Sequence, residues 1–210
     1  MPETKREIAG LLLQSKAIIL EPATPFTWAS GWRSPIYCDN RITLSYPEIR
    51  TRIKESFVEA INTHFQLPDV IAGVATGAIA QGALVAEALH LPFIYVRASA
   101  KEHGRKNRIE GKVSPGTSVV VIEDLVSTGG SSLKAVEAIR EAGGEVMGMV
   151  AIFSYGFQVA TENFAGAEVA LVTLTDYHTL IDTALKTGYI SQEQVGMLQQ
   201  WREHPSTWKP

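Results

Sequence analysis

Apolar residues recur along this chain in two kinds of pattern: at helical spacing in some stretches, in short unbroken runs in others. Ile8, Leu11 and Leu12 share one face of a helix expected over Thr4 to Ala17. Residues 21–44 are rich in Pro, Gly and Ser and read as irregular chain or short strands. Ser45-Tyr46-Pro47-Glu48 is a capping-box pattern with an early proline, and Ile49, Ile53, Phe57 and Ile61 follow at a spacing of four, predicting a long amphipathic helix. Next come a strand over Val70–Val74, a helix over Gly77–His90 and a strand over Phe93–Val96. Ala98 to Pro115 is polar and charged, with little to bury, so a functional loop is expected there. The run from Val119 predicts a core strand, and Ser131 to Ala142 a helix stopped by Gly143-Gly144. Strands over Val146–Phe153 and Val169–Leu174 and helices near Asp176–Lys186 and Ser191–Glu203 complete the pattern. Helices alternating with short apolar runs predict an α/β fold with a central, mainly parallel sheet flanked by helices.

The core run carries more than a fold signal. Val119-Val120-Val121-Ile122 suits a parallel strand covered on both faces, and it leads directly into Glu123-Asp124. Carboxylates at the carboxyl end of a parallel strand stand where open α/β sheets bind ligands. Leu125-Val126-Ser127-Thr128-Gly129-Gly130-Ser131 then leads into a helix. The glycines allow close approach of an anion, and the helix start aims free N–H groups and a positive dipole end at it. Together these offer acceptors for sugar hydroxyls and donors for a phosphate, the needs of a ribose 5-phosphate. Two other readings fail: a nucleoside triphosphatase needs G-x-x-x-x-G-K-[ST] and a dinucleotide fold needs G-x-G-x-x-G after its first strand, and neither motif is present.

The run Val120–Ser132 resembles the phosphoribosyl diphosphate signature of the type I phosphoribosyltransferases. Phe26-Thr27-Trp28-Ala29-Ser30-Gly31-Trp32-Arg33-Ser34-Pro35-Ile36-Tyr37-Cys38-Asp39 resembles the base-binding segment of orotate phosphoribosyltransferases, and Arg97-Ala98-Ser99-Ala100-Lys101-Glu102-His103-Gly104 resembles their mobile catalytic loop. The three segments occur in that family's order. The resemblance implies a type I phosphoribosyltransferase fold over residues 1–210, with a small N-terminal hood at about 18–44, a core at about 45–210 and a mobile loop at about 98–112. It implies transfer of ribose 5-phosphate from phosphoribosyl diphosphate to orotate, giving orotidine 5'-phosphate for pyrimidine synthesis. It also implies a homodimer in which loop 98–112 serves the neighbouring subunit's site.

By the same resemblance, Lys101, His103 and Asp124 are the catalytic candidates. Arg97, Lys101 and His103 contact the diphosphate, and either Lys101 or His103 acts as the acid. Glu123 and Asp124 take ribose hydroxyls, Ser127, Thr128, Gly129, Gly130 and Ser131 wrap the 5-phosphate, and Leu125 and Val126 are counted with them among the phosphoribosyl diphosphate-binding residues. Thr76 and Gly77, in the turn Val74-Ala75-Thr76-Gly77-Ala78, read either as a plain strand-to-helix turn or as a diphosphate loop made of backbone amides, and the second reading is favoured by its place at the same sheet edge. Ser127, Phe26, Tyr37, Cys38 and Tyr155 are the orotate candidates. Two carboxylates beside a polyanionic substrate call for a cation, so Mg²⁺ is expected, held mainly by the substrate with Asp124 and Glu123 outside its direct ligands. Arg105, Lys106 and Arg108 read as a solvated charge run.

The chain departs from the better-known family pattern at four positions: Ala29, Ala98 and Gly77 stand where many members carry Lys, and Tyr155 where many carry Arg. The carboxylate of orotate would then be held by backbone N–H groups of the Phe26 and Tyr37–Cys38 segments, or by Arg33 or Arg41. Trp28 and Trp32 either cover the base or close the hood.

Composition narrows the partners. At 210 residues and 45% hydrophobic content, one domain with a real core is expected. A net charge of −3 with no long basic run argues against nucleic acid. The lone cysteine, Cys38, suits a reducing compartment, and neither a signal region nor a membrane-length apolar run is found, so the expected location is cytoplasmic. Two alternatives remain at this level: a phosphoribosyltransferase for another base, and a non-catalytic phosphoribosyl diphosphate sensor.

Overall fold

A computed structural model describes residues 2–28, 31–97 and 108–209. The chain forms two compact units, Met1–Pro47 with Thr175–Pro210, and Glu48–Leu174. The C-terminal helices thus group with the N-terminal segment, whereas the expected core ran from 45 to 210.

The second unit is organised around a sheet with strand order Leu171–Asp176, Glu145–Ser154, Ser118–Val126, Val70–Val74, Phe93–Val96, Ile109–Glu110. Ser118–Val126 runs parallel to both Val70–Val74 and Glu145–Ser154, and Val70–Val74 runs parallel to Phe93–Val96. Ile109–Glu110 is antiparallel to the end of Phe93–Val96. The continuous Val119–Ile122 run now has its reason. Side chains alternate across a strand, and here both faces are covered, so Val119, Val120, Val121 and Ile122 are all 0% exposed. Val119 and Val121 join Val70, Ala72, Ile94 and Met149 in a core closed by Leu133, Val136 and Ile139 of helix Gly130–Glu141 and Phe164 of helix Gln158–Gly166. On the opposite face, helix Ile79–Leu89 packs against Val70–Val74, with Phe93 beside Gly73 and Gly82.

Topology selects one crevice. From Val70–Val74 the chain crosses to Phe93–Val96 on one side, then returns to Ser118–Val126 on the other. The strand order therefore reverses between Val70–Val74 and Ser118–Val126, and their carboxyl ends are the place where such sheets take ligands.

In the first unit, helix Pro2–Gln14 packs against helix Tyr177–Lys186. Ile18–Leu20 pairs antiparallel with Ile36–Cys38, and Phe26–Thr27 with Arg33–Ser34. Trp201, in helix Gln192–Glu203, is 0% exposed, and its Nε1–H donates to the Arg33 carbonyl at 3.1 Å.

Several expected boundaries move. The first helix stops at Gln14 rather than Ala17: Lys16 takes a left-handed φ of 58°, and Ile18 starts a strand. Ser45 closes a 3₁₀ helix, Asn40–Ser45, and the long helix begins at Pro47. The core strand continues through both carboxylates to Val126. Ile109–Glu110 lies inside the expected loop, and helix Gln158–Gly166 was not foreseen, because only Ala160 and Phe164 are buried along its short length.

Candidate active site

Glu123 and Asp124 follow one another in a strand, so their side chains leave it in opposite directions. Glu123 is 4% exposed, and both of its oxygens have internal donors: the Ser132 hydroxyl at 2.7 Å on Oε2 and the Asp124 N–H at 2.9 Å on Oε1. Burial pushes the Glu123 carboxyl up to about 8, and the Asp124 charge beside it adds to the rise. The bond to Ser132 ties the end of the strand to the first turn of helix Gly130–Glu141. Asp124 is half-buried, and its carboxylate lies against Gly77, where a Cβ would overlap it. A Cβ at position 77 would require the Asp124 carboxylate, the end of a rotatable side chain, to turn aside.

The turn holding Gly77 leaves the neighbouring strand at the same edge. Thr76 is exposed and the Ala75–Thr76 peptide is cis. Beyond Val126 the loop is open to ligands: Thr128, Gly130 and Ser131 are exposed and Ser127 is half-buried. Gly129 caps the helix at φ 82°, a left-handed conformation suited to glycine, and Phe164 fills the space a Cβ would need. Val126, expected among the phosphate-loop residues, is 0% exposed and leaves only its backbone to the loop; its carbonyl accepts from the Tyr155 N–H at 3.2 Å. Leu125 is half-buried beside it.

Arg97 ends its strand at the same edge. Its N–H donates to the Arg108 carbonyl at 2.8 Å, and its Nε lies 3.2 Å from Glu110 Oε1. The chain is thus joined to itself, beside the site, on the two sides of residues 98–107. Lys101 and His103, with Arg105, Lys106, Ala98 and Ala29, lie outside the described residues. A cleft of about 160 Å³ is lined by Val74, Ala75, Val96, Arg97, Ser131, Lys134 and Ala135. Lys134 was not foreseen there; it is a helix cation one turn past the signature.

Among the orotate candidates, Phe26 and Tyr37 come together in the first unit, with ring centroids 5.5 Å apart, and Tyr37 is 41% exposed. The Cys38 thiol donates to Asn40 Oδ1 at 3.5 Å. Arg41 is paired with Asp39 through Nε at 2.7 Å and Nη2 at 2.8 Å. Arg33 is exposed. Trp28 donates to the Ile36 carbonyl at 3.1 Å, stacks on Trp32 and meets Trp201 edge-on, contacts that close the unit's own core. Tyr155, in the second unit, is 2% exposed and stacked on Phe157 at 5.3 Å.

The donor set suits Mg²⁺ of a particular kind. Glu123 is buried and engaged internally, Asp124 is the more accessible of the two, and no group of three or more His, Cys, Asp or Glu side chains among the described residues could hold a metal. A donor set with so few protein oxygens would suit a hard cation that keeps most of its waters. Among the described residues, no helix is long and apolar enough to cross a membrane.

Known proteins match this arrangement. The profile of the phosphoribosyl transferase domain matches residues 44–169. An orotate phosphoribosyltransferase of Porphyromonas gingivalis is 61% identical over 96% of this chain and 96% of its own. The crystal structure of orotate phosphoribosyltransferase from Aeropyrum pernix is 29% identical, with a TM-score of 0.76 over 88% of this chain and 99% of that one. A Leishmania donovani UMP synthase structure is 27% identical, with a TM-score of 0.79; the match covers 95% of this chain and 42% of that protein. The chain belongs to the orotate phosphoribosyltransferases, within the phosphoribosyl transferase domain family.

Proposed function

We propose that this chain, as a member of that family, transfers ribose 5-phosphate from phosphoribosyl diphosphate to orotate, giving orotidine 5'-phosphate and diphosphate in pyrimidine nucleotide synthesis. One observation carries the reading: at the strand-order reversal, Asp124 and Gly77 are in contact, and the loop after Val126 opens onto a helix N-terminus. A hydroxyl acceptor, a backbone diphosphate turn and a phosphate loop thus share one crevice.

Breaking the bond between sugar carbon 1 and diphosphate leaves positive character on the ribose and negative charge on the leaving group. Rate then depends on holding the ribose rigid, supplying cations to the diphosphate and excluding water. Asp124 takes the ribose hydroxyls, and Glu123 serves it from behind by fixing the strand end to the helix through Ser132. Ser127 to Ser131 wrap the 5-phosphate, and Ser127 also reaches orotate. Thr76 and Gly77 offer backbone amides to the diphosphate. Arg97, Lys101 and His103 meet its charge, and either Lys101 or His103 donates to the leaving oxygen. The orotate nitrogen forms the new bond to carbon 1 as the carbon–oxygen bond to diphosphate breaks, and the proton it gives up passes to the departing diphosphate. Asp124 would be the residue beside a substrate-borne Mg²⁺, which would supply neutralisation of the diphosphate charge. Phe26, Tyr37 and Cys38 of the first unit and, separately, Tyr155 of the second are the residues proposed for orotate.

Loop 98–112 serving a neighbouring subunit makes a homodimer the proposed active unit, and the lone Cys38 suits the cytoplasm. Single-turnover nucleotide formation with orotate, uracil, hypoxanthine and adenine, for wild type and Lys101→Ala, tests the reading. Orotate-only activity that falls at least about 100-fold in the variant is expected, given the usual scale of such electrostatic losses. Activity with another base would overturn the base assignment. Tight phosphoribosyl diphosphate binding without turnover would favour a sensor.

A further inference from the structure

Helix Gln158–Gly166 carries none of the signature residues, yet it meets the phosphate loop at successive positions. Asn163 Nδ2 donates to the Thr128 carbonyl at 2.9 Å. Next to it, Phe164, 3% exposed and part of the core, stands 2.7 Å from where a Cβ of Gly129 would be. The loop is thereby held from below by an apolar ring and from the side by an amide.

The amide contact has a directional consequence. An anion loop works by presenting N–H groups and turning its carbonyls away. In a planar trans peptide the C=O and the following N–H point in opposite directions. Fixing the Thr128 carbonyl toward Asn163 therefore fixes the Gly129 N–H to point the opposite way within that plane. Gly129 is the residue whose backbone would otherwise turn most freely, since it lacks a Cβ.

We infer that Asn163 is a positioning residue for the sugar-phosphate site: by holding the Thr128 carbonyl, it keeps the Thr128–Gly129 peptide oriented with its N–H toward the 5-phosphate. The inference rests on the reading of residues 127–131 as the phosphate loop. Asn163 is exposed, so its replacement removes the tether and leaves the core intact.

Asn163→Ala and the isosteric Asn163→Asp, which keeps the shape and loses the donor, test it together. One hydrogen bond of ordinary strength corresponds to a rise of about fivefold in KM for phosphoribosyl diphosphate in both variants. The KM for orotate, inhibition by free diphosphate, which binds at the Thr76–Gly77 turn, and the melting temperature stay as in wild type. An unchanged KM for phosphoribosyl diphosphate overturns the inference. So does a loss shared equally by diphosphate together with a lowered melting temperature, because that pattern marks general loosening. Should wild type form no nucleotide from orotate, the functional reading fails and the inference is judged on inorganic phosphate alone. Weaker phosphate binding by Asn163→Ala then supports it, and equal binding overturns it.

Discussion

The Asp124 carboxylate lies so close to Gly77 that the two residues leave no room for a Cβ between them. They come from different strands and meet only because the chain returns to the far side of Val70–Val74. Gly77→Ala forces either the turn or Asp124 to shift. An Asp124 carboxylate that cannot turn aside without leaving the ribose loses up to about 100-fold in kcat/KM for phosphoribosyl diphosphate. Steady-state kinetics of the variant check this, and a loss under about threefold would mean that the side chain accommodates the added methyl group by rotating.

Glu123 predicts a pH dependence of stability. Its folded-state value near 8 lies above the ordinary 4.5, because burial disfavours the charge and Asp124 adds repulsion. Between those two values the native state holds a proton that the unfolded chain has lost. Its contribution to stability therefore falls as pH rises through that window, at no more than about 1.4 kcal/mol per pH unit. Denaturation of wild type and Glu123→Gln at pH 5, 6, 7 and 8 should show the wild-type curve dropping relative to the variant. Parallel curves would contradict the burial argument.

Two arginines of the first unit should separate in their effect on orotate. Arg41 already has a bidentate partner in Asp39, whereas Arg33 is exposed on its short strand. If a side chain holds the orotate carboxylate, Arg33→Ala raises the orotate KM by about tenfold, the scale of one charge-assisted hydrogen bond, and Arg41→Ala changes it by less than about threefold. No change in either variant would assign the carboxylate to backbone N–H groups of the Phe26 and Tyr37–Cys38 segments.

Trp201 is a stability residue. It is fully buried, meets Trp28 and Tyr177, and donates to the Arg33 carbonyl. Trp201→Ala should destabilise by about 3–5 kcal/mol. Trp201→Phe keeps most of the packing and leaves the carbonyl without that donor, a smaller loss of about 1–3 kcal/mol. Chemical denaturation of the pair reads both, and a Phe variant as unstable as the Ala variant would place the weight on the hydrogen bond.

Local rules were enough for much of the local structure. The Val119–Ile122 run announced a strand buried on both faces, Glu123-Asp124 fell towards its carboxyl end, and Gly129-Gly130 marked the start of the next helix, because each feature depends on neighbours within a few residues. Helix periodicity likewise located Pro47–His64, Tyr177–Lys186 and Gln192–Glu203 to within a turn. Lys101 and His103 rest on motif resemblance.

Three decisions belonged to tertiary structure. Glu123 and Asp124 look equivalent in sequence, yet the Ser132 hydroxyl and the covered sheet face draw one inward and leave the other beside Gly77. Helix Gln158–Gly166 has too little periodicity to be seen, and its amide reaches Thr128 across a sequence separation of 35. The opening helix was cut short because Ala17 and Ile18 are buried in the turn and strand that follow it. Sequence pattern fixes which residues can be apolar, charged or hinged along a short stretch; which of two adjacent carboxylates is desolvated, and which distant side chain braces a loop, depends on how the sheet brings separate strands together.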